Sequence, residues 1–160
     1  MTLLGGNGSD LLVGRRGSFD GSTNGDTLGG GTGSAVDTYG LAGRFEVATD
    51  TPFADGDRIP TLVEFDENDF LRIHSGASYA GDIPTSGFQL GLFEFVSLGV
   101  QYSGDNSGIA PGIAALVVDA DGLVIFDADS GTPGYSVLAR VDSGAGQINP
   151  GNIEVVSGPT

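Results

Sequence analysis

The stretch Gly5-Gly6-Asn7-Gly8-Ser9-Asp10-Leu11-Leu12-Val13 decides the fold class of this chain. It follows the nonapeptide pattern Gly-Gly-x-Gly-x-Asp-x-apolar-x at each fixed position. Glycine permits backbone conformations with positive φ, and an Asp carboxylate is the hard oxygen ligand that Ca²⁺ prefers. The apolar residue on the short strand that follows is expected to point inward. The run predicts a calcium-dependent β fold and does not by itself indicate an enzyme.

Residues 5–39 contain three further, imperfect copies of this frame. The second begins at Gly14 but has Phe19 where Asp is expected, and the third restores the acid at Asp26. The fourth begins at Gly30 and has two additional residues before Asp37. This array predicts a short, irregular parallel β-roll over residues 1–40 that holds one or two calcium ions. The expected ligands are the carboxylates of Asp10, Asp26 and Asp37 and the carbonyls of Gly6, Gly8 and Gly31.

The order of the frames also predicts which acids lie together. A coil built from two nonapeptides places every second frame on the same edge of the roll. Asp10 and Asp26 are therefore expected on one edge and Asp37 on the other. Because a stable stack normally needs three or more repeats, the short roll is expected to pack against the segment that follows it.

Residues 41–160 predict a mainly antiparallel, β-sandwich-like unit that is continuous with the roll. Short apolar stretches alternate with turns, and no stretch has a sustained helical period, so the whole chain is expected to be all-β. The clearest element is a hairpin in which Asp119-Ala120-Asp121-Gly122 joins two apolar strands. The Asp-x-Asp pairs at 119/121 and 127/129 lack the glycine and Glu spacing of an EF-hand, which favours turn chemistry there.

The composition excludes several classes of function. The chain has 160 residues, 29 of them glycine, and a formal net charge of −15. Its six basic residues are all Arg, so clustered phosphate contacts and nucleic-acid binding are disfavoured. There is no Cys for a disulfide, no N-terminal signal-peptide pattern and no apolar run of membrane-spanning length. Acidity of this size fits either solubility in salt or binding of divalent cations.

The residues for catalysis are also scarce. His74 is the only histidine, which excludes a multi-histidine zinc site, and the absence of Lys excludes a P-loop and Schiff-base chemistry. No Gly-x-Ser-x-Gly elbow occurs. We therefore expect no enzymatic activity. Six aromatic residues could line a carbohydrate platform, although strand spacing is more typical of core residues: Tyr39, Tyr79, Phe88, Phe93, Phe95 and Tyr102.

With these features in view, the chain resembles the C-terminal region of RTX (hemolysin-type calcium-binding) proteins of the cyanobacterial kind. The resemblance rests on the repeat at residues 5–13, on the Asp37-Thr38-Tyr39 strand that ends the array, and on the strands of residues 123–156. Residues 40–113 match the family only loosely. The resemblance implies export by type I secretion machinery that reads an uncleaved C-terminal signal. It also implies an extracellular or cell-surface location and folding on contact with calcium.

The expectation from the sequence is therefore a non-enzymatic, calcium-stabilised extracellular module. Two alternatives remain open. One is an adhesin or polysaccharide-binding module whose partner is a surface polysaccharide. The other is an accessory domain of a larger secreted hydrolase or epimerase, in which case the partner is the parent protein itself.

Overall fold

The computed structural model describes residues 2–15, 27–31, 35–42, 46–48, 59–75, 93–127, 129, 135–142 and 145–157. In these ranges the chain forms twelve strands and two short 3-10 helices, Ala145–Gln147 and Pro150–Asn152. The strands are β1 (Thr2–Leu4), β2 (Leu11–Arg15), β3 (Thr27–Gly29), β4 (Thr38–Ala42), β5 (Glu46–Ala48), β6 (Thr61–Val63), β7 (Phe70–Ser75), β8 (Phe93–Ser97), β9 (Ala114–Val118), β10 (Leu123–Asp127), β11 (Tyr135–Val141) and β12 (Ile153–Ser157). The prediction of an all-β fold is confirmed.

The strands form two sheets. The first sheet has the order β1-β3-β6-β11-β10-β9-β8, with β5 also paired to β11, and the second has the order β2-β4-β7-β12. All pairs in the second sheet are parallel, as are the pairs that link β1, β3, β6 and β11 in the first. In the described strands the chain passes from the first sheet to the second four times, through β1–β2, β3–β4, β6–β7 and β11–β12. We call these four strand pairs coils 1 to 4 of a parallel roll.

The interior of the roll is a pair of facing apolar ladders. In the first sheet the residues in register are Leu3, Leu28, Leu62 and Val141. In the second they are Leu12, Tyr39, Leu71 and Ile153. All but Leu3 are buried, and Leu3 packs against the same core cluster. Burying such a side chain contributes about 1.5–3 kcal/mol, so these ladders hold the coils together.

A second apolar cluster covers the other face of the first sheet where β9, β10 and β11 lie. It includes Val117, Ile125 and Val137, with Tyr102 from the segment between β8 and β9 packed edge-on against Tyr135 at a ring distance of 5.3 Å. Because both faces are covered, β10 is buried at all five positions. This explains why its residues 123–126 are continuously apolar rather than alternating.

The parallel pairing continues well beyond residue 40, where the sequence predicted that the roll gives way to a mainly antiparallel unit. Coils 3 and 4 use β6, β7, β11 and β12, and among the described strands antiparallel pairing is confined to β5, β9, β10 and β11. A coil needs two strands with inward apolar residues and a turn between them, and the turn does not have to be rich in glycine. Residues 64–69 make such a turn without any glycine. The predicted hairpin at residues 119–122 is confirmed as the antiparallel pair β9–β10.

Candidate metal site

The candidate site lies on the edge of the roll where the chain crosses from the first sheet to the second. We call this the turn edge; its described part consists of residues 5–10 of coil 1, 30–31 and 35–37 of coil 2, and 64–69 of coil 3. Each of these turns ends in an Asp immediately before a strand of the second sheet: Asp10 before β2, Asp37 before β4 and Asp69 before β7. The parallel register therefore stacks three carboxylates along the roll.

The three acids are linked by a repeating hydrogen bond. The backbone N–H of Asp10 donates to Oδ1 of Asp37 at 2.9 Å, and the N–H of Asp37 donates to Oδ1 of Asp69 at 2.9 Å. The carbonyls continue the same register, since Asp10 accepts from the N–H of Thr38 and Asp37 accepts from the N–H of Phe70, both at 2.8 Å. Asp37 and Asp69 are almost fully buried, with 4% and 2% exposure. Each carboxylate thus joins its own turn to that of the preceding coil.

Asp69 also holds its own turn together. Its Oδ2 accepts the N–H of Asp66 at 2.8 Å, and Asp66 Oδ1 accepts the N–H of Asn68 at 2.7 Å. Burial raises the pKa of the Asp69 carboxyl above its usual range, against the effect of the N–H groups that it accepts. Both of its oxygens are occupied by backbone donors, so Asp69 acts as a structural link.

Asp10 differs from the other two acids at one atom. Its Oδ2 is buried and has no hydrogen-bond partner within the described part of the chain. A Cβ on Gly5 would lie 2.5 Å from this oxygen, so only glycine fits beside the carboxylate. A buried carboxylate oxygen without a donor or cation is costly, and such an atom calls for a ligand.

The first two turns are packed backbone against backbone. Gly6 and Gly31 have φ values of +100° and +106°, and a Cβ on Gly31 would lie 2.4 Å from the carbonyl oxygen of Gly6. The Gly31 N–H donates to Oε2 of Glu64 at 3.1 Å, and Glu64 itself has a φ of 62°. Glycine at position 31 is therefore required by both conformation and space, and it brings a carbonyl of coil 1 against coil 2.

Tyr39 anchors this edge from the interior. Its hydroxyl accepts the N–H of Gly30 and donates to the carbonyl of Val63, both at 2.9 Å. Burial raises the pKa of this hydroxyl well above its usual value. A Cβ on Gly30 would lie 2.2 Å from Asp37 Oδ2 and 2.7 Å from the Tyr39 hydroxyl. Tyr39 is thus a core residue that fixes the turn, rather than part of a carbohydrate platform.

The structure groups the predicted site residues differently from the sequence. Gly6, Gly8, Asp10, Gly31 and Asp37 all lie on the turn edge, whereas Asp26 lies outside the described residues. The expectation that Asp10 and Asp37 occupy opposite edges is wrong. They are 27 residues apart and yet adjacent, because one coil here is longer than two nonapeptides. Sequence reasoning also missed Asp69, although its position before an apolar strand, like that of Asp10, was a usable signal.

Within the described part of the turn edge, the buried carboxylate oxygen without a partner is on Asp10, so a calcium ion would fit there. Within the described ranges no cluster of three or more acidic or histidine side chains is placed to hold a metal. Asp37 and Asp69 already accept backbone N–H groups through Oδ1. An ion here would therefore be held by the Asp10 carboxylate and by backbone carbonyls of the glycine turn, the oxygen types that Ca²⁺ accepts.

The other acidic pairs are structural. Asp119 accepts the N–H groups of Tyr102, Asp121 and Leu123 at 3.0–3.1 Å, which closes the hairpin turn. Asp127 is fully buried and accepts the Tyr102 hydroxyl at 2.6 Å and the Asp129 N–H at 2.9 Å. Burial raises the pKa of the Asp127 carboxyl. These contacts agree with the turn interpretation of both Asp-x-Asp pairs.

The aromatic residues do not assemble a platform in the described structure. Tyr39 and Tyr102 are buried, and Phe93 and Phe95 are half-buried against the core. Tyr79 and Phe88 lie outside the described residues.

No helix among the described residues is long and apolar enough to cross a membrane. No family model, curated protein or solved structure matches this chain.

Proposed function

We propose that this chain is a non-enzymatic, calcium-stabilised module in which the ion binds at the turn edge next to Asp10. The observation that carries the proposal is the buried Asp10 Oδ2, which has no partner within the described residues and lies against Gly5. A cation at this position would compensate the buried charge. The residues that would hold it are Asp10 and the carbonyls of Gly6 and Gly8, with Gly31 of the neighbouring turn.

Charge gives the proposed ion a thermodynamic role. At a net charge of −15 the folded chain concentrates carboxylates that repel one another, and a bound divalent cation relieves part of that repulsion. Because a preformed site is absent from an unfolded chain, binding would add directly to the stability of the fold. Calcium would thus favour stacking of the glycine-rich coil 1 on coil 2.

The cellular part of the proposal rests on the RTX resemblance alone. It comprises export by type I secretion machinery, an extracellular or cell-surface location, and folding on arrival in calcium. Stability that depends on calcium would suit such a route, since the chain would remain unfolded at the low calcium concentration inside the cell and would fold outside it.

The test is urea unfolding of the full chain with calcium and with EGTA. A site that binds only the folded state adds about 2.7 kcal/mol to the unfolding free energy when free calcium is 100 times its Kd. Asp10→Asn is expected to abolish this increment. Asp121→Asn, at an exposed position of the hairpin, is the matched control and should keep it.

Charge screening must be separated from site binding. NaCl at the same ionic strength and Mg²⁺ at the same concentration screen the net charge without satisfying a calcium site. If calcium stabilises the chain no more than these salts do, the proposed function is wrong.

A further inference from the structure

We propose that Asn7 is a site of spontaneous deamidation, at which the turn of coil 1 acquires an additional carboxylate with time. The proposal rests on the geometry of the Asn7-Gly8 pair and does not require calcium binding. The product would be a mixture of Asp and isoaspartate at position 7.

The reaction needs a backbone nitrogen that can reach the side-chain carbonyl of the preceding asparagine. The N–H of Gly8 attacks Cγ of Asn7, the Cγ–Nδ2 bond breaks, and ammonia leaves with the Gly8 amide proton. The resulting five-membered succinimide then adds water at either of its carbonyls. Ring opening at one carbonyl yields Asp and at the other isoaspartate, so water is the only co-reactant.

The turn places few restraints on this step. Asn7 and Gly8 are both exposed, and Gly8 has a φ of +128°. A Cβ on Gly8 would meet nothing within 4 Å, so the nitrogen that must move is not crowded. Among the described residues, no hydrogen bond engages the Asn7 carboxamide or the Gly8 N–H. The attacking nitrogen and the leaving amide therefore have no contact there to break.

The other described asparagines are held or blocked. The Asn106 carboxamide bonds to Ser103 and Gln101, and that of Asn152 bonds to Asn149 and Gln147. Asn149 precedes Pro150, which has no N–H to attack with. Asn68 precedes Asp69, whose N–H donates to the Asp66 carbonyl. Asn24-Gly25 shares the dipeptide of Asn7 but lies outside the described residues.

The modification would alter the turn edge in two ways. Either product adds a negative charge three positions before Asp10, in a turn where the Asp10 carboxylate is already partly buried. The isoaspartate product also adds one methylene to the main chain between the strands of coil 1. The fraction of chains that carry Asp or isoaspartate at position 7 would thus rise with the age of the protein.

The experiment follows Asn7 in the folded full chain during incubation at mildly alkaline pH. Trypsin cleavage after Arg15 releases residues 1–15, in which Asn7 is the single asparagine, and cleavage after Arg58 and Arg72 releases residues 59–72, in which Asn68 is the single asparagine. We expect peptide 1–15 to split into two products that each have O in place of NH, while peptide 59–72 stays unchanged. A zero-time digest corrects for conversion during proteolysis.

The free synthetic peptide 1–15 gives the reference rate. If the turn is unrestrained, Asn7 in the folded chain should deamidate at a rate within about tenfold of the rate in this peptide. Each tenfold in rate corresponds to about 1.4 kcal/mol of activation free energy. Asn7→Ser should remove both products, with urea unfolding as the check that the variant is folded. If peptide 1–15 from the folded chain keeps its mass while the free peptide converts, or if Asn68 converts as fast as Asn7, the proposal is overturned.

Discussion

Replacing Gly30 with Ala tests whether the close packing of the turn edge holds the roll together. The new Cβ would lie 2.2 Å from Asp37 Oδ2 and 2.7 Å from the Tyr39 hydroxyl, both well inside van der Waals contact. Neither group can move freely. Tyr39 is fully buried and bonded to Gly30 and Val63, and Asp37 accepts the Asp10 N–H. Relief of the clash must therefore break bonds between coils.

The magnitude follows from the groups displaced. Loss of the two Tyr39 hydrogen bonds costs about 1–3 kcal/mol, at about 0.5–1.5 kcal/mol each. Overpacking of a tight interior adds about 1–3 kcal/mol. We expect Gly30→Ala to lower the unfolding free energy by about 2–6 kcal/mol, a large part of the roughly 5–15 kcal/mol of a typical domain.

Urea unfolding measures this change, with Gly99→Ala as the matched control. Gly99 has open space around a built Cβ and no positive φ, so its replacement should stay within about 0.5 kcal/mol of the parent chain. Tyr39→Phe removes the clashing hydroxyl oxygen, and in that background Gly30→Ala should cost less, as a double-mutant cycle would report. Equal effects of Gly30→Ala and Gly99→Ala would refute the reasoning.

Three further substitutions test the energetics of the fold away from the turn edge. Asp127 has a raised carboxyl pKa because it is fully buried, so the folded state binds its proton more tightly than the unfolded chain does. Its contribution to stability is present below the ordinary Asp pKa of about 3.9 and is lost as the pH rises through the raised value. Relative to Asp127→Asn, the parent chain should therefore gain unfolding free energy as the pH falls from neutral toward the raised pKa of Asp127. Urea unfolding in a pH series measures this difference. The absence of such a trend would contradict the raised pKa. The ion pair between Arg72 and Glu154 joins β7 and β12 at 2.7 Å but is 30% and 46% exposed, so Arg72→Ala should cost less than about 1 kcal/mol. Leu71→Ala removes a fully buried side chain next to Arg72 and should cost about 2–5 kcal/mol in the same assay. A larger loss for Arg72→Ala than for Leu71→Ala would argue against the apolar ladder as the main support of coil 3.

Local patterns in the sequence predicted the elements whose signal is contained within a few residues. The hairpin at Asp119–Gly122 is one, because its turn residues and both apolar strands adjoin one another. Gly31 is another, because the frame puts at this position a residue that permits a positive φ, and the value is +106°.

The hydrogen-bond partner of Asp69 shows what local patterns could not reveal. The acidic turn of Asp69 resembles an ordinary exposed loop, yet the carboxylate is buried and accepts the Asp37 N–H across 32 residues. That contact exists only because β4 and β7 are paired in parallel, and nothing near Asp69 in the sequence specifies this partner. The same reason explains why Asp10 and Asp37 were assigned to opposite edges.

The amino-acid sequence by itself determined that the chain is all-β, that glycine turns bring carbonyls and an Asp together at residues 5–10, and that Cys and Lys are absent. These follow from backbone freedom, strand periodicity and composition, which are local properties. Only the tertiary structure decided how many coils the roll has and which acids stack. Coil length is set by the connections between sheets, and parallel register then aligns Asp10, Asp37 and Asp69 regardless of their spacing in the chain. The same stacking leaves Asp10 Oδ2 buried with no donor among the described residues, and that atom is where we expect the ion.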